Sequence, residues 1–270
     1  MTDVEMQRLK AIELDMLKAF IAVCEKHDLT YFLIGGTALG AVRHGGFIPW
    51  DDDIDVGLPR KDYEKFMAVA QADLPEGLFL QNEKTDPEYM TCFAKIRNSN
   101  TTFLESTARN LNINHGVFID IFPLDGCDNF EETAKKTKLL KVRMSAKFLT
   151  KRSAKGHLIR LLAIIRYPSI KKARKKLFDI WRKLPYELAD DIANFSGVWG
   201  KKEVMPKQVY GAGTKGTFEG LSVTLPANPD EYLTRLYGDY MTPPPPEKRV
   251  SHHYCDVIDL DTSYTTYVKK

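Results

Sequence analysis

In the run FIPWDDDIDVGLP, Asp53 and Asp55 are two carboxylates separated by one residue, with Ile54 and Val56 alternating against them. That alternation reads as a strand apolar on one face, so both aspartates point to the same side with Cα atoms about 7 Å apart. Left alone, their charges repel. A hard divalent cation, magnesium or manganese, resolves the repulsion and keeps coordination sites open for water and phosphate oxygens. Such ions activate an attacking oxygen and stabilise a leaving one. A third carboxylate on a neighbouring strand completes this kind of site. Asp120 is the candidate, an acid inside the otherwise apolar GVFIDIFPL, because a buried carboxylate needs a cation or strong donors beside it.

Upstream, Gly35 and Gly36 offer backbone that a phosphate can approach closely, and a helix starting near Thr37 adds N–H groups and a positive dipole end. Each signal has a plainer reading alone, since a DDD cluster after proline is commonly a solvated turn and a glycine pair a simple turn. Their order, with glycine pair and short helix followed by D-x-D on a strand, makes a metal and phosphate cradle the better reading. Asp51 and Asp52 either complete the metal shell or orient Arg43, with exposed turn acid as the plainer reading of Asp51. Arg43 either grips phosphate through its planar fork of donors or pairs with one of Asp51 to Asp53.

The elements that must hold these residues follow from periodicity. Leu9, Ile12, Met16, Phe20 and Val23 recur at helical spacing between Val4 and His27. TYFLIGG reads as a short strand ending in a tight turn, and TALGAVRHGG as one or two helical turns closed by glycine. A helix is expected over 61–72. Strands are expected over 77–81, 92–96 and 116–124, a strand or hairpin over 218–226, and a short helix over 230–240. Pro243 to Pro246 must be extended. The alternation predicts an α/β (α+β) fold, a mixed sheet flanked by helices. The expected division is a catalytic core over 1–128, a basic helical insertion over 129–200, and a C-terminal part over 201–270 that completes the site.

The chain has 270 residues, 43% hydrophobic and 28% charged, enough for a sizeable core and unlike a disordered or fibrous protein. The first ten residues carry charges where a signal peptide needs an apolar run, and no long uncharged apolar stretch occurs, so a cytoplasmic protein is expected. Cys24, Cys92, Cys127 and Cys255 lie far apart and read as free thiols. The net charge of +3 conceals a segregation. Between Thr133 and Lys183 stand eighteen Lys or Arg against one acid, Asp179, a net +17 that leaves −14 for the rest. These cations are interleaved with Leu139, Leu140, Phe148, Leu149, Leu158, Leu161, Leu162, Ile164 and Ile165. The segment reads as basic amphipathic helices interrupted near Gly156 and Pro168, compatible with the inner face of an anionic membrane, with a plain solvated surface equally open.

The stretch YFLIGGTALGAVRHGGFIPWDDDIDVGLPRKDYEKF closely resembles the LicD family of phosphorylcholine and related transferases, relatives of fukutin and fukutin-related protein within the nucleotidyltransferase superfold. The resemblance continues in FAKIRNSNTTFLE, HGVFIDIFPLDG and YLTRLYGDYMTPPPP. It implies transfer of phosphocholine from CDP-choline to a sugar hydroxyl of a lipid-linked teichoic acid, lipopolysaccharide or other cell-surface glycan precursor, with release of CMP and magnesium as cofactor. Carried onto this chain, Asp53 and Asp55 would hold the metal, Gly36 and Thr37 would face donor phosphates, and Asp120 would bind metal or take the acceptor proton.

The resemblance also favours phosphate contact for Lys95 and Arg97, which alternate on a strand and aim the same way. His252 and His253 stand equally open between phosphate contact and plain surface. Trp50 would either stack on a base or a choline headgroup, or serve as a packing anchor. Three other functions stay in play. One is transfer of another phospho-alcohol, ribitol or glycerol phosphate, or of a sugar phosphate. The second is nucleotide transfer from a triphosphate. The third is a non-catalytic protein binding membrane or nucleic acid through its basic helices, although no nucleic-acid partner is expected.

Overall fold

A computed structural model describes residues 1–148, 153–249 and 254–268. Leu149, His252 and His253 lie outside the described residues. Helix α1 (Asp3–Lys26) opens with a capping box, in which the Thr2 hydroxyl accepts from the Glu5 N–H and the Glu5 carboxylate takes the Thr2 N–H. Its stripe of Leu9, Met16, Leu17 and Phe20 is buried in the main core, and the helix packs on β6, described below.

Strand β1 (Phe32–Leu33) runs for two residues and passes directly into α2 (Gly35–His44), which ends on Gly45 in the left-handed conformation. The glycine pair is therefore the first turn of the helix, not a tight turn before it. Gly35, at φ +56°, swings the chain from the extended Ile34 into the helix within one residue. Next come β2 (Asp55–Pro59), α3 (Arg60–Asp73), β3 (Leu78–Gln81), β4 (Ala94–Asn98), β5 (Thr102–Glu105) and β6 (Val117–Gly126). Asp53 precedes β2 instead of lying in it. Regular pairing stops where three consecutive acids begin, although Asp120 N–H still donates to the Ile54 carbonyl at 2.8 Å and burial still alternates, Ile54 and Val56 inward.

Among the described residues seven strands form the main sheet: five in the order β1-β2-β6-β4-β3, and two more that branch off the end of β6. All ten residues of β6 are buried, which fits a strand with neighbours on both edges. β2 runs parallel to β6, and β4 runs antiparallel along its other edge. The end of β6 pairs antiparallel with β7 (Asp191–Ala193), which in turn pairs with β8 (Val204–Pro206).

The basic segment forms α4 (Phe130–Met144), α5 (Ala154–Arg166) and α6 (Ile170–Trp181). Pro168 separates the last two as expected, but Gly156 does not break a helix. Its N–H donates to Ser153 Oγ, so it sits in the capped first turn of α5. Leu140 and Met144 of α4 meet Leu177 and Trp181 of α6 in a second, smaller core. A one-turn helix α7 (Lys207–Tyr210), the hairpin β9 (Thr214–Phe218) and β10 (Leu221–Leu225), helix α8 (Pro229–Tyr237) and β11 (Cys255–Asp259), paired with β5, complete the chain. No helix among the described residues is long and apolar enough to cross a membrane.

Candidate active site

Register brings the chemistry together. Asp55 on β2 stands opposite Asp120 on β6, and Asp120 stands opposite Lys95 on β4. Cross-strand neighbours project to one side, so the three form a row over one face of the sheet. Lys95 Nζ lies 2.7 Å from Asp120 Oδ1, both nearly buried, and 3.2 Å from the centre of the Phe118 ring. The lysine thus fixes the third carboxylate.

Helix α2 holds the other side. Thr37 Oγ1 accepts the Asp55 N–H at 2.8 Å, and the Tyr232 hydroxyl of α8 accepts the Gly35 N–H at 3.0 Å. Thr37 is buried with its hydroxyl turned to the backbone of Asp55, so it positions an acid where the sequence suggested that it faces phosphate. A Cβ on Gly35 would stand 3.1 Å from Asp55 Oδ2, and one on Gly36 only 2.7 Å from Asp51 Oδ2. The two carboxylates lie directly over the glycine pair, at the positive end of the helix.

Asp51, Asp52 and Asp53 bring one carboxylate oxygen each within 4.8 Å of one another. Burial, and then the charges of Asp53, Asp120 and Asp51, hold the Asp55 carboxyl well above its ordinary range, against the pull of Lys95. Among the described residues the donor set with metal-ligand spacing is thus Asp51, Asp52 and Asp53, whereas the sequence points to Asp53, Asp55 and Asp120; Asp55 and Asp120 stand opposite each other in register, and the charge of Asp53 acts on Asp55.

Asp51, Asp53, Asp55 and Asp120 share a cavity of about 890 Å³ with Gly35, Gly36, Arg43 and Lys95. Its walls are rich in aromatic rings, among them Trp50, Tyr89, Phe93, Phe122, Trp199 and Tyr237. Trp50 is half-buried on this wall, with the Arg249 guanidinium 5.2 Å from its ring centre. Arg43 reaches the cavity and donates to the Tyr240 carbonyl at 2.6 Å. Arg97 borders the cavity too, but its guanidinium is engaged by Gln81 Oε1, the Gly116 carbonyl and Glu105 Oε2 at 2.8, 2.8 and 2.9 Å. It braces three segments, and of the alternating pair Lys95 is the one beside the carboxylates.

Several site residues escaped the sequence reading. Glu13 lies in the buried stripe of α1, where burial and then the charges of Asp53, Asp52 and Asp51 push its carboxyl far up. An acid four residues after Leu9 in an apolar stripe was the available signal. Glu203 borders the cavity with its carboxylate accepting the Trp199 N–H at 3.2 Å, and burial lifts it to about 7. Tyr237 is pushed up by burial and then by the charge of Asp55. No local spacing marks either residue.

A family model described as LicD/FKTN/FKRP, nucleotidyltransferase domain, matches residues 28–139, which include every described site residue named from the sequence. The lipopolysaccharide cholinephosphotransferase LicD of Haemophilus influenzae is 32% identical over 249 residues, 89% of this chain and 92% of that protein. The ribitol 5-phosphate transferase FKRP of Homo sapiens is 48% identical over 42 residues, 16% of this chain and 8% of that protein. An uncharacterized protein of Rickettsia prowazekii, RP689, is 43% identical over 54 residues, 20% of each chain.

Proposed function

The chain belongs to the LicD family, and from that premise we propose that it is a transferase moving phosphocholine from CDP-choline to a sugar hydroxyl of a cell-surface glycan precursor. The observation that carries this reading is the Asp55–Asp120 register beside Asp53, facing the Gly35–Gly36 turn in one cavity. It unites anion-binding backbone with a hard-cation donor set, which is what transfer from a diphosphate requires.

In the proposed reaction the acceptor oxygen bonds to the phosphorus that bears choline. The bond from that phosphorus to the bridging oxygen breaks, and CMP departs with the electron pair. Asp53, Asp55 and Asp120 would hold magnesium, which when bound neutralises diphosphate charge and polarises the phosphorus. Gly35 and Gly36, over which the Asp55 and Asp51 carboxylates lie, would meet the donor phosphates at the start of α2 through a cation held by those acids. Asp120, whose carboxylate lies 2.7 Å from Lys95 Nζ, would serve either as a metal ligand or as the base that takes the acceptor proton. The aromatic wall suits a quaternary ammonium. The short stretch shared with the ribitol 5-phosphate transferase favours a second phospho-alcohol, ribitol phosphate, as the alternative cargo.

The test is a donor panel of CDP-choline, CDP-ribitol, CDP-glycerol and a nucleotide sugar with magnesium and a glycan acceptor mixture, followed by chromatography of released nucleotide. CMP release from CDP-choline is expected, falling at least about a hundredfold in Asp53→Asn and Asp55→Asn. Pyrophosphate release from CTP, with no CMP from any CDP-alcohol, would sink the reading.

A further inference from the structure

Helix α5 is built inside out. Leu158, Leu161, Leu162 and Ile165 recur at the i, i+3, i+4, i+7 spacing of one helix face, and that face is turned to solvent, with Leu158 57% and Ile165 67% exposed. Its one buried residue is Ala163, about opposite the stripe, and α5 rests on α4 alone of the two neighbouring basic helices by any substantial contact. The neighbouring helices behave ordinarily, since Leu140, Met144, Leu177 and Trp181 face inward.

The charge around this stripe is of one sign. Residues 153–178 hold eight Lys or Arg and no Asp or Glu. Lys155 and Arg166 flank the stripe on one side of α5; Lys171, Lys172, Lys175 and Lys176 are exposed on α6, which packs on α4 rather than on α5, and they add to the positive charge of the segment without bordering the stripe. Nucleic acid would match the cations yet leave four aliphatic side chains facing phosphate and water. A second copy would bring two unopposed positive patches together. A surface that is anionic outside and apolar beneath satisfies both halves.

We propose that α5 lies flat on an anionic membrane surface, with Leu158, Leu161, Leu162 and Ile165 at the headgroup–acyl boundary and the flanking cations at the headgroups. The docking stands independently of the catalytic reading. Phe148, six residues before α5, borders the cavity, so a docked α5 tethers the cavity wall to the bilayer. An acceptor carried on a lipid would meet the site there, and this last step alone rests on the proposed function.

The experiment is co-sedimentation of the full chain with vesicles of phosphatidylcholine alone or with roughly a third phosphatidylglycerol, at low and high salt. The wild type should pellet with the anionic vesicles at low salt and stay in solution with the neutral ones. Leu161→Glu with Ile165→Glu, placed on an exposed face, should keep its circular dichroism and its turnover of a soluble acceptor while vesicle partitioning falls about tenfold or more. Failure of the wild type to pellet, or unchanged partitioning of the folded double variant, overturns the proposal. So does light scattering that shows a dimer which the variant dissolves, for a second copy then covers the stripe. Duplex-DNA binding unaffected by the variant, without vesicle retention, would assign the cations to nucleic acid.

Discussion

A methyl group does not fit at Gly36, where a Cβ would meet Asp51 Oδ2 at 2.7 Å. Gly36→Ala must therefore displace the Asp51 carboxylate while leaving Asp53, Asp55 and Asp120 in place. The expected result is a fall of about 10- to 100-fold in magnesium affinity by calorimetry, with matching loss of turnover at limiting metal. Unchanged affinity would place Asp51 outside the cation's surroundings. Glu203 makes a pH prediction. Burial raises its carboxyl from the ordinary 4.5 to about 7, against the Trp199 N–H and Lys141, so folding favours the protonated form. That contribution is complete below about 4.5 and is lost as pH climbs through about 7. Glu203→Gln, neutral at every pH, should gain in melting temperature relative to wild type between pH 5 and pH 8. A pH-independent difference would contradict the burial of this carboxylate.

Helix α3 begins with a cation at the end of the helix that disfavours one, and the reason lies on another element. Arg60 Nε and Nη2 reach the two oxygens of Asp125 near the end of β6 at 2.7 and 2.6 Å, a bidentate pair out of solvent. Arg60→Ala leaves a buried carboxylate uncompensated and should cost about 3–5 kcal/mol in urea unfolding, whereas Arg60→Met with Asp125→Leu should cost less. A loss under about 1 kcal/mol for the single variant would mean that the pair is not holding α3 to the sheet. Elements of this kind were legible wherever periodicity is local. The stripe of α1, the helix expected over 61–72 and found as Arg60–Asp73, and the alternation of Ile54 and Val56 stand in the sequence, while the strand or hairpin expected over 218–226 holds the second arm, Leu221–Leu225, of a hairpin that begins at Thr214. Partnerships were not legible. Arg97 reads as a phosphate contact beside Lys95 because charge ordinarily signals an open face or a ligand, yet Gln81, Gly116 and Glu105, which engage it, come from three other segments. The two-residue β1 is too short for a pattern, and the β5–β11 pair joins residues about 150 apart.

Across the whole molecule, folding gathers acids that the chain keeps apart. Asp53 and Asp55 are neighbours in sequence, Asp120 arrives through the parallel β2–β6 pairing, and Glu13 arrives with α1. The +17 of the basic segment does little to offset this crowding, since its links to the acidic remainder, Lys147–Glu88 and Arg182–Glu64 among them, are exposed pairs of small worth. A cation bound among these acids would make its binding and the global stability one equilibrium. Without metal, the raised Asp55 carboxyl makes its ionisation oppose folding, so the contribution is favourable below the ordinary 3.8 and is lost as pH rises beyond it. In chelator at neutral pH, Asp55→Asn should therefore melt above the wild type. Magnesium should reverse that order, because a ligand bound only by the folded state adds about 2.7 kcal/mol at a hundred times its dissociation constant. Differential scanning fluorimetry of both proteins, with chelator and across a magnesium titration, reads the crossing directly. Curves that rise in parallel would show that the ion binds elsewhere, and a wild type indifferent to magnesium would remove the cation from this site.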